Sequence, residues 1–84
     1  ERMRALSISR ALFGARDRVA AGERDANALV DGARTALDVD RLDYLELCDA
    51  STLVPLARVD GPSVLLVAAF VGRTRLIDNV RLAG

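Results

Sequence analysis

Residues 63–82 read SVLLVAAFVGRTRLIDNVRL and carry two strand signals on either side of a turn. The run from Ser63 to Val71 is almost continuously apolar and of strand length, which is typical of a strand covered on both faces. Gly72 and Arg73 follow, and a two-residue loop led by Gly suits the type II′ turn of a β-hairpin. The segment therefore predicts two antiparallel strands, 63–71 and 74–82, with the first of them central.

A third strand is predicted upstream, over residues 43–48. Leu45 and Leu47 lie on one side of this segment and more polar residues on the other, as in a strand with one apolar face. Asp49 to Thr52 then reads as a turn or a short helical turn before Pro55.

Two amphipathic helices are predicted before the strands. The first spans about residues 2–21 and ends at Gly22, which suits a left-handed cap. Its apolar stripe has the three- and four-residue spacing of one helix face. The stripe consists of Ala5, Ile8, Leu12, Ala15 and Val19, and Leu6 and Phe13 are expected to widen it.

The second helix is predicted over about residues 25–37, with the Asp25 side chain as its N-terminal cap. Ala26, Leu29, Val30, Ala33 and Leu37 share one face of it. The two helices form a hairpin whose common apolar face needs a cover, and the sheet supplies one. The predicted fold class is α+β: two amphipathic helices packed on a three-stranded antiparallel sheet in a single small domain.

Composition excludes several classes of function. The chain of 84 residues has 12 basic residues, all Arg, and 12 acidic residues, so no net positive charge favours nucleic acid as a partner. The longest apolar run, 64–71, is far shorter than the roughly 20 residues of a membrane-spanning helix, so no membrane partner is expected. The single Cys48 cannot form an internal disulfide and is expected to be buried, in a reducing, cytoplasmic setting.

The sequence contains few side chains of the kinds that usually catalyse reactions. The chain has no His, which removes the commonest general base and metal ligand, and it has no Gly-rich phosphate loop. Asp43 and Asp49 stand about 20 Å apart along an extended strand, too far for a catalytic carboxyl pair. We predict no catalytic residue, no metal ligand and no cofactor-binding residue in this chain. The plainer roles of Asp43, Glu46, Asp49 and Asp78 are strand-end hydrogen bonds and ion pairs with Arg41, Arg75 or Arg81.

The last strand contains the most interesting polar group: Thr74, Arg75, Asp78 and Asn79. An Arg fork, an Asp acceptor and an Asn amide can tie a hairpin to a turn, or they can line the edge of a cleft. Physical reasoning alone favours the structural tie.

The same segments carry a resemblance to a known family. DYLELCD at 43–49, Leu53, Pro55-Leu56, LLVAA at 65–69 and GRTRLIDN at 72–79 are similar, in order and spacing, to the C-terminal half of pantothenate synthetases. The block Gly-x-Thr-Arg-Leu-Ile-Asp-Asn is its most specific part. Cys48 departs from the family pattern, where a polar or basic residue is more usual.

The resemblance implies the function of a whole enzyme of which this chain is one domain. Such enzymes join pantoate to β-alanine with ATP, and by implication Mg²⁺, through a pantoyl adenylate. Their paired-histidine motif and Ser-Ser-Arg-like phosphate-binding stretch have no counterpart here, so no catalytic role carries over to a residue of this chain. The domain is implied to be a lid over the site of its own N-terminal Rossmann-like domain, in an enzyme that is a homodimer.

Further expectations depend on that implication. The chain starts at Glu1 without an initiator Met, which reads as a piece of a longer protein. Such a piece is expected to form no pantothenate alone, and to self-associate through the surface that its partner domain covers. The alternative is a self-contained protein-interaction module without catalysis, in which the helical hairpin or a sheet edge binds a partner. Thr74, Arg75, Asp78 and Asn79 are the candidate cleft-edge residues.

Overall fold

The architecture consists of two helices followed by three strands. We describe residues 2–83 from a computed structural model. The elements are α1 (Arg2–Ala20), α2 (Ala26–Ala36), β1 (Arg41–Asp49), β2 (Ser63–Val71) and β3 (Thr74–Leu82). The strands form one antiparallel sheet in the order β1-β2-β3. The predicted α+β class is confirmed, with the two helices packed on a three-stranded antiparallel sheet.

Helix α1 buries the predicted stripe except Ala5, which is partly exposed, and it does not bury the residues expected to widen the stripe. Ile8, Leu12 and Val19 are buried, whereas the side chains of Leu6 and Phe13 are each 49% exposed. The prediction that Leu6 and Phe13 widen the buried stripe is wrong, because α1 contacts α2 and the sheet along one narrow face on which neither residue lies. No other described element covers the side on which Leu6 and Phe13 lie.

The link between the helices follows its sequence signals. Gly22 has φ 111°, the left-handed conformation that a glycine adopts at low cost after a helix. The Asp25 carboxylate then accepts a 3.0 Å hydrogen bond from the backbone N–H of Ala28, so Asp25 is the cap that we predicted for α2. Leu29 is fully buried beneath α1 and β1.

Strand β1 begins two residues before its predicted start. The sequence pattern missed these residues because the strand contains a bulge. Leu42 pairs with Ala69 and Tyr44 with Ala68, which leaves Asp43 between them without a partner in the ladder. A bulge residue interrupts the alternation of sides, so the sequence pattern is regular only after it.

Strand β2 is central, as predicted, and the turn that follows it has the expected geometry. Gly72 has φ 60°, whereas Arg73 does not have a positive φ, the combination that a type II′ turn requires. Val71 and Thr74 pair across this two-residue loop.

The expectation that helices or strands cover both faces of β2 is wrong for the described residues. Both helices lie on the same side of the sheet, where Leu65, Val67 and Ala69 are fully buried. On the opposite side, which we call the bare face, Val64 and Ala68 are buried only by neighbouring side chains and loops, and Leu66 and Phe70 remain half-buried. Strand β2 therefore has apolar side chains on both sides, but the described residues bury only one side completely.

Candidate functional site

Strand β3 separates the four candidate residues onto two sides. Because strand side chains alternate, Arg75 and Asn79 lie on the bare face, opposite Phe70 and Leu66 of β2. Thr74 and Asp78 lie on the helix side, opposite Val71 and Val67. All four residues are exposed. The structure does not bring the four candidates together: Arg75 and Asn79 share the bare face, and Thr74 and Asp78 share the helix side.

The bare face has an apolar centre that crosses all three strands. Tyr44, Ala68 and Ile77 are neighbours in one row of the sheet, on β1, β2 and β3. Ala68 is fully buried, Tyr44 is half-buried, and the Ile77 side chain is 62% exposed. Leu66 and Phe70 flank this row on β2. The large aliphatic side chain of Ile77 thus lies exposed on the edge strand β3, next to the apolar surface of β2.

Two arginines lie against aromatic rings on this face. The Arg41 guanidinium carbon is 4.2 Å from the centre of the Phe70 ring, and that of Arg75 is 6.0 Å from the centre of the Tyr44 ring. Arg75 also donates two hydrogen bonds to Asp43 Oδ2, of 3.1 Å from Nε and 2.8 Å from Nη2. The expected ion pairing with Arg41, Arg75 or Arg81 is thus observed for Asp43, with Arg75 as its partner. These contacts keep both guanidinium groups close to the surface of the sheet.

Two other carboxylates of the strands have local structural roles. The expectation of a hydrogen bond or ion pair is wrong for Glu46, whose side chain makes neither among residues 2–83, and Arg41 and Arg81 form no ion pair there. Asp49 accepts hydrogen bonds from the backbone N–H groups of Thr52 (2.9 Å) and Ser51 (2.8 Å), and these bonds lower the pKa of its carboxyl. Asp78 accepts a 2.8 Å bond from the adjacent Asn79 N–H. Burial, followed by the nearby Glu46 charge, raises the pKa of Cys48, so this thiol stays neutral and packs as an apolar group.

Sequence reasoning missed one polar centre, at Asp40. Its carboxylate accepts a 2.7 Å bond from Arg4 Nη2 of α1 and a 2.5 Å bond from the backbone N–H of Gly72 in the β2–β3 turn. The Arg4 bond, with the Gly72 bond, lowers the pKa of Asp40, and the same contact raises the pKa of Arg4. Asp40 therefore connects the helix layer to the hairpin. Its partners are more than 30 residues away in sequence, and no local pattern indicates them.

A cavity of about 320 Å³ lies where α1 ends, near the end of β3 that is remote from Thr74. It contains none of the candidate residues. Its lining residues are Arg16, Val19, Ala20, Arg24, Leu82 and Ala83.

Metal ligands and membrane spans are not found in the part of the chain that we describe. Residues 2–83 contain no group of three or more Asp, Glu or Cys side chains placed to hold a metal ion. Neither described helix has the combination of length and hydrophobicity needed to cross a bilayer.

Fold and surface together define a class: a small α+β domain with helices on one side of its sheet and an arginine–aromatic surface on the other. A family model described as pantoate-beta-alanine ligase matches residues 1–81, and the chain belongs to this family.

Similar proteins agree with this membership. The chain is 55% identical, over 98% of its length, to a pantothenate synthetase of Anaeromyxobacter dehalogenans, and 55% identical, over 99% of its length, to pantothenate synthetase 1 of Bradyrhizobium diazoefficiens. It covers 29% and 30% of those two proteins. A crystal structure of pantothenate synthetase from Thermus thermophilus superposes with a TM-score of 0.78 at 27% identity, covering 88% of this chain and 28% of the other. The chain thus spans about three-tenths of the length of its relatives.

Proposed function

We propose that this chain is the C-terminal lid domain of a pantothenate synthetase. The whole enzyme joins pantoate to β-alanine with consumption of ATP, in the cytoplasm. Its partners are the N-terminal nucleotide-binding domain of the same polypeptide and a second copy of the enzyme. The observation that carries the proposal is the 55% identity over almost the whole chain to pantothenate synthetases more than three times as long.

The proposed reaction has two steps, and neither needs a base from this domain. A pantoate carboxylate oxygen attacks the α-phosphorus of ATP, which forms pantoyl adenylate and releases pyrophosphate. The amine of β-alanine then attacks the acyl carbon, and the bond to AMP breaks. Mg²⁺ would neutralise the phosphate charge in the first step.

The role of this domain in that scheme is to exclude water. An acyl adenylate hydrolyses when water reaches it, and a closing domain lowers that access. The absence of His from the sequence supports this division of labour, because the commonest acid–base side chain must come from elsewhere in the enzyme. Arg75 and Asn79, on the bare face, are the candidates for the cleft edge, whereas Thr74 and Asp78 lie on the other side of β3.

The proposal is tested with three proteins: the full-length enzyme, residues 1–84 alone, and the enzyme without this domain. Pantothenate and AMP are measured after addition of pantoate, β-alanine, ATP and Mg²⁺. The full-length enzyme is expected to form pantothenate, and residues 1–84, folded by circular dichroism, are expected to form none. The enzyme without this domain is expected to release more AMP than pantothenate. Turnover by residues 1–84 alone, or no pantothenate from the full-length protein, would contradict the proposal.

A further inference from the structure

Strand β2 has more apolar side chains than the described part of this domain buries. Strands that are apolar on both faces are typical of sheets with a layer on each side. Here β2 is apolar throughout residues 63–71 apart from Ser63, yet both helices pack on one side. Leu66 and Phe70 are consequently half-buried on the bare face. A second layer, absent from residues 2–83, fits this pattern.

The centre of the bare face has the form of a docking surface. Ile77 is 62% exposed and lies next to buried Ala68 and half-buried Tyr44 in a row across the sheet. Contiguous apolar surface of this kind, rimmed by polar groups, is typical of interaction sites. The exposed apolar residues of α1 differ, because Met3, Leu6 and Phe13 lie along a single helix and Arg16 stacks on Phe13.

Charge indicates the chemistry of the layer that covers this face. Arg41, Arg75 and Arg81 lie on the bare face with Asp43 and Glu46, so positive charge is in excess. Arg75 is paired with Asp43, whereas Arg41 and Arg81 have no carboxylate partner among residues 2–83. Both remaining guanidinium groups are available to anionic oxygens on an approaching surface.

The relatives indicate where that surface comes from. About seven-tenths of each relative lies outside the segment that matches this chain. We infer that the bare face is the surface with which this domain closes on the remainder of its own polypeptide, with Ile77 as an exposed apolar contact on the edge strand β3 and Arg41 and Arg81 facing anionic oxygens there. The inference rests on the proposed function and adds which of the two layers faces the closed site.

Hydroxyl-radical footprinting of the full-length enzyme tests the surface without relying on turnover. Tyr44 and Phe70 report on the bare face, and Phe13, 49% exposed on α1, is the internal reference. Addition of ATP, Mg²⁺ and pantoate is expected to slow oxidation of Tyr44 and Phe70 about threefold relative to Phe13, because closure removes these rings from water. Unchanged ratios, or protection of Phe13 in place of Tyr44 and Phe70, would overturn the inference.

A pair of matched variants tests the consequence for chemistry. Ile77→Lys places a charge at the exposed apolar position of the bare face, and Leu6→Lys places one at an exposed position of α1. Both positions are exposed, so the unfolding temperature of either variant is expected to stay close to that of the parent. Pyrophosphate released per pantothenate formed is expected to rise about tenfold in Ile77→Lys and to stay within about twofold in Leu6→Lys, because an unclosed lid admits water to the adenylate.

The two possible failures are distinguishable. A full-length parent enzyme that forms no pantothenate contradicts the proposed function itself. An active parent whose Ile77→Lys variant stays fully coupled, or whose Leu6→Lys variant is the uncoupled one, overturns only the inference about the bare face.

Discussion

The two sides of strand β2 have similar apolar side chains but different surroundings. On the helix side, Leu65, Val67 and Ala69 are fully buried beneath α1 and α2. On the bare face, the alternate residues Leu66 and Phe70 are just as apolar, yet they are half-buried and arginines lie over the adjacent rings. The helix-covered face contains the hydrophobic core of the domain, whereas the bare face leaves apolar side chains partly exposed.

The largest expected difference is between Leu65 and Leu66, which have the same side chain on opposite faces. Leu65→Ala is expected to lower the free energy of unfolding by about 2–5 kcal/mol, because it leaves a cavity under the helices. Leu66→Ala removes a half-exposed side chain and is expected to cost about 1 kcal/mol. Urea denaturation followed by circular dichroism measures both.

A volume-conserving variant serves as the control. Leu65→Met is expected to cost less than about 1.5 kcal/mol, which separates the cavity from a general intolerance of change at this position. Equal losses of stability for Leu65→Ala and Leu66→Ala in residues 1–84 would mean that the two faces are equally important to the isolated domain.

The next largest difference in stability is expected when Ala69 and Ala68 are each replaced by a larger residue. Both residues are fully buried, Ala69 under the helices and Ala68 between Tyr44 and Ile77. Ala69→Leu is expected to cost about 1–3 kcal/mol, since the added atoms push against two packed layers. Ala68→Leu is expected to cost less than about 1 kcal/mol in residues 1–84, because its neighbours can move into solvent. Thermal unfolding of both variants measures the difference, and a larger loss for Ala68→Leu would show that the bare face is rigid.

The smallest expected effect concerns Asp40, which connects α1 to the β2–β3 turn at the seam between the layers. The folded pKa of Asp40 lies below its ordinary value of 3.8, chiefly because Arg4 bonds the carboxylate. Its contribution to stability is therefore fully present above pH 3.8 and is lost as the pH falls through the lower folded pKa. Asp40→Asn is expected to flatten the fall in stability below pH 3.8, measured by thermal unfolding across that range. Identical acid limbs for parent and variant would contradict this role.

Local patterns were enough to predict most of the elements. A few adjacent residues are enough to predict each of three features: the apolar run of β2, the Gly72-Arg73 loop and the Asp25 cap. This is because a strand, a turn and a cap depend on short-range sterics and hydrogen bonds. The bulge at Asp43 depends on how β1 pairs with β2, which the sequence of β1 alone does not show. The prediction therefore missed the first two residues of β1.

The candidate surface was only partly predictable. Arg75 and Asn79 were indicated together with Thr74 and Asp78, but strand alternation and the position of the helices place only the first two on the bare face. The Asp40 centre had no sequence signal, because its bonds join residues that are distant in the chain.

The sequence by itself determined the α+β class, the hairpin and membership of the pantoate-β-alanine ligase family, because these depend on local periodicity and on ordered motifs. For the central strand β2, only the tertiary structure decided which of its two sides the helices cover. Both sides of β2 are apolar, so a pattern of period two cannot choose between them. That choice leaves Ile77 exposed on the same face as Arg41, Arg75 and Arg81. This face is the open surface of the domain because α1 and α2 pack on the other one, which no single segment of the sequence determines.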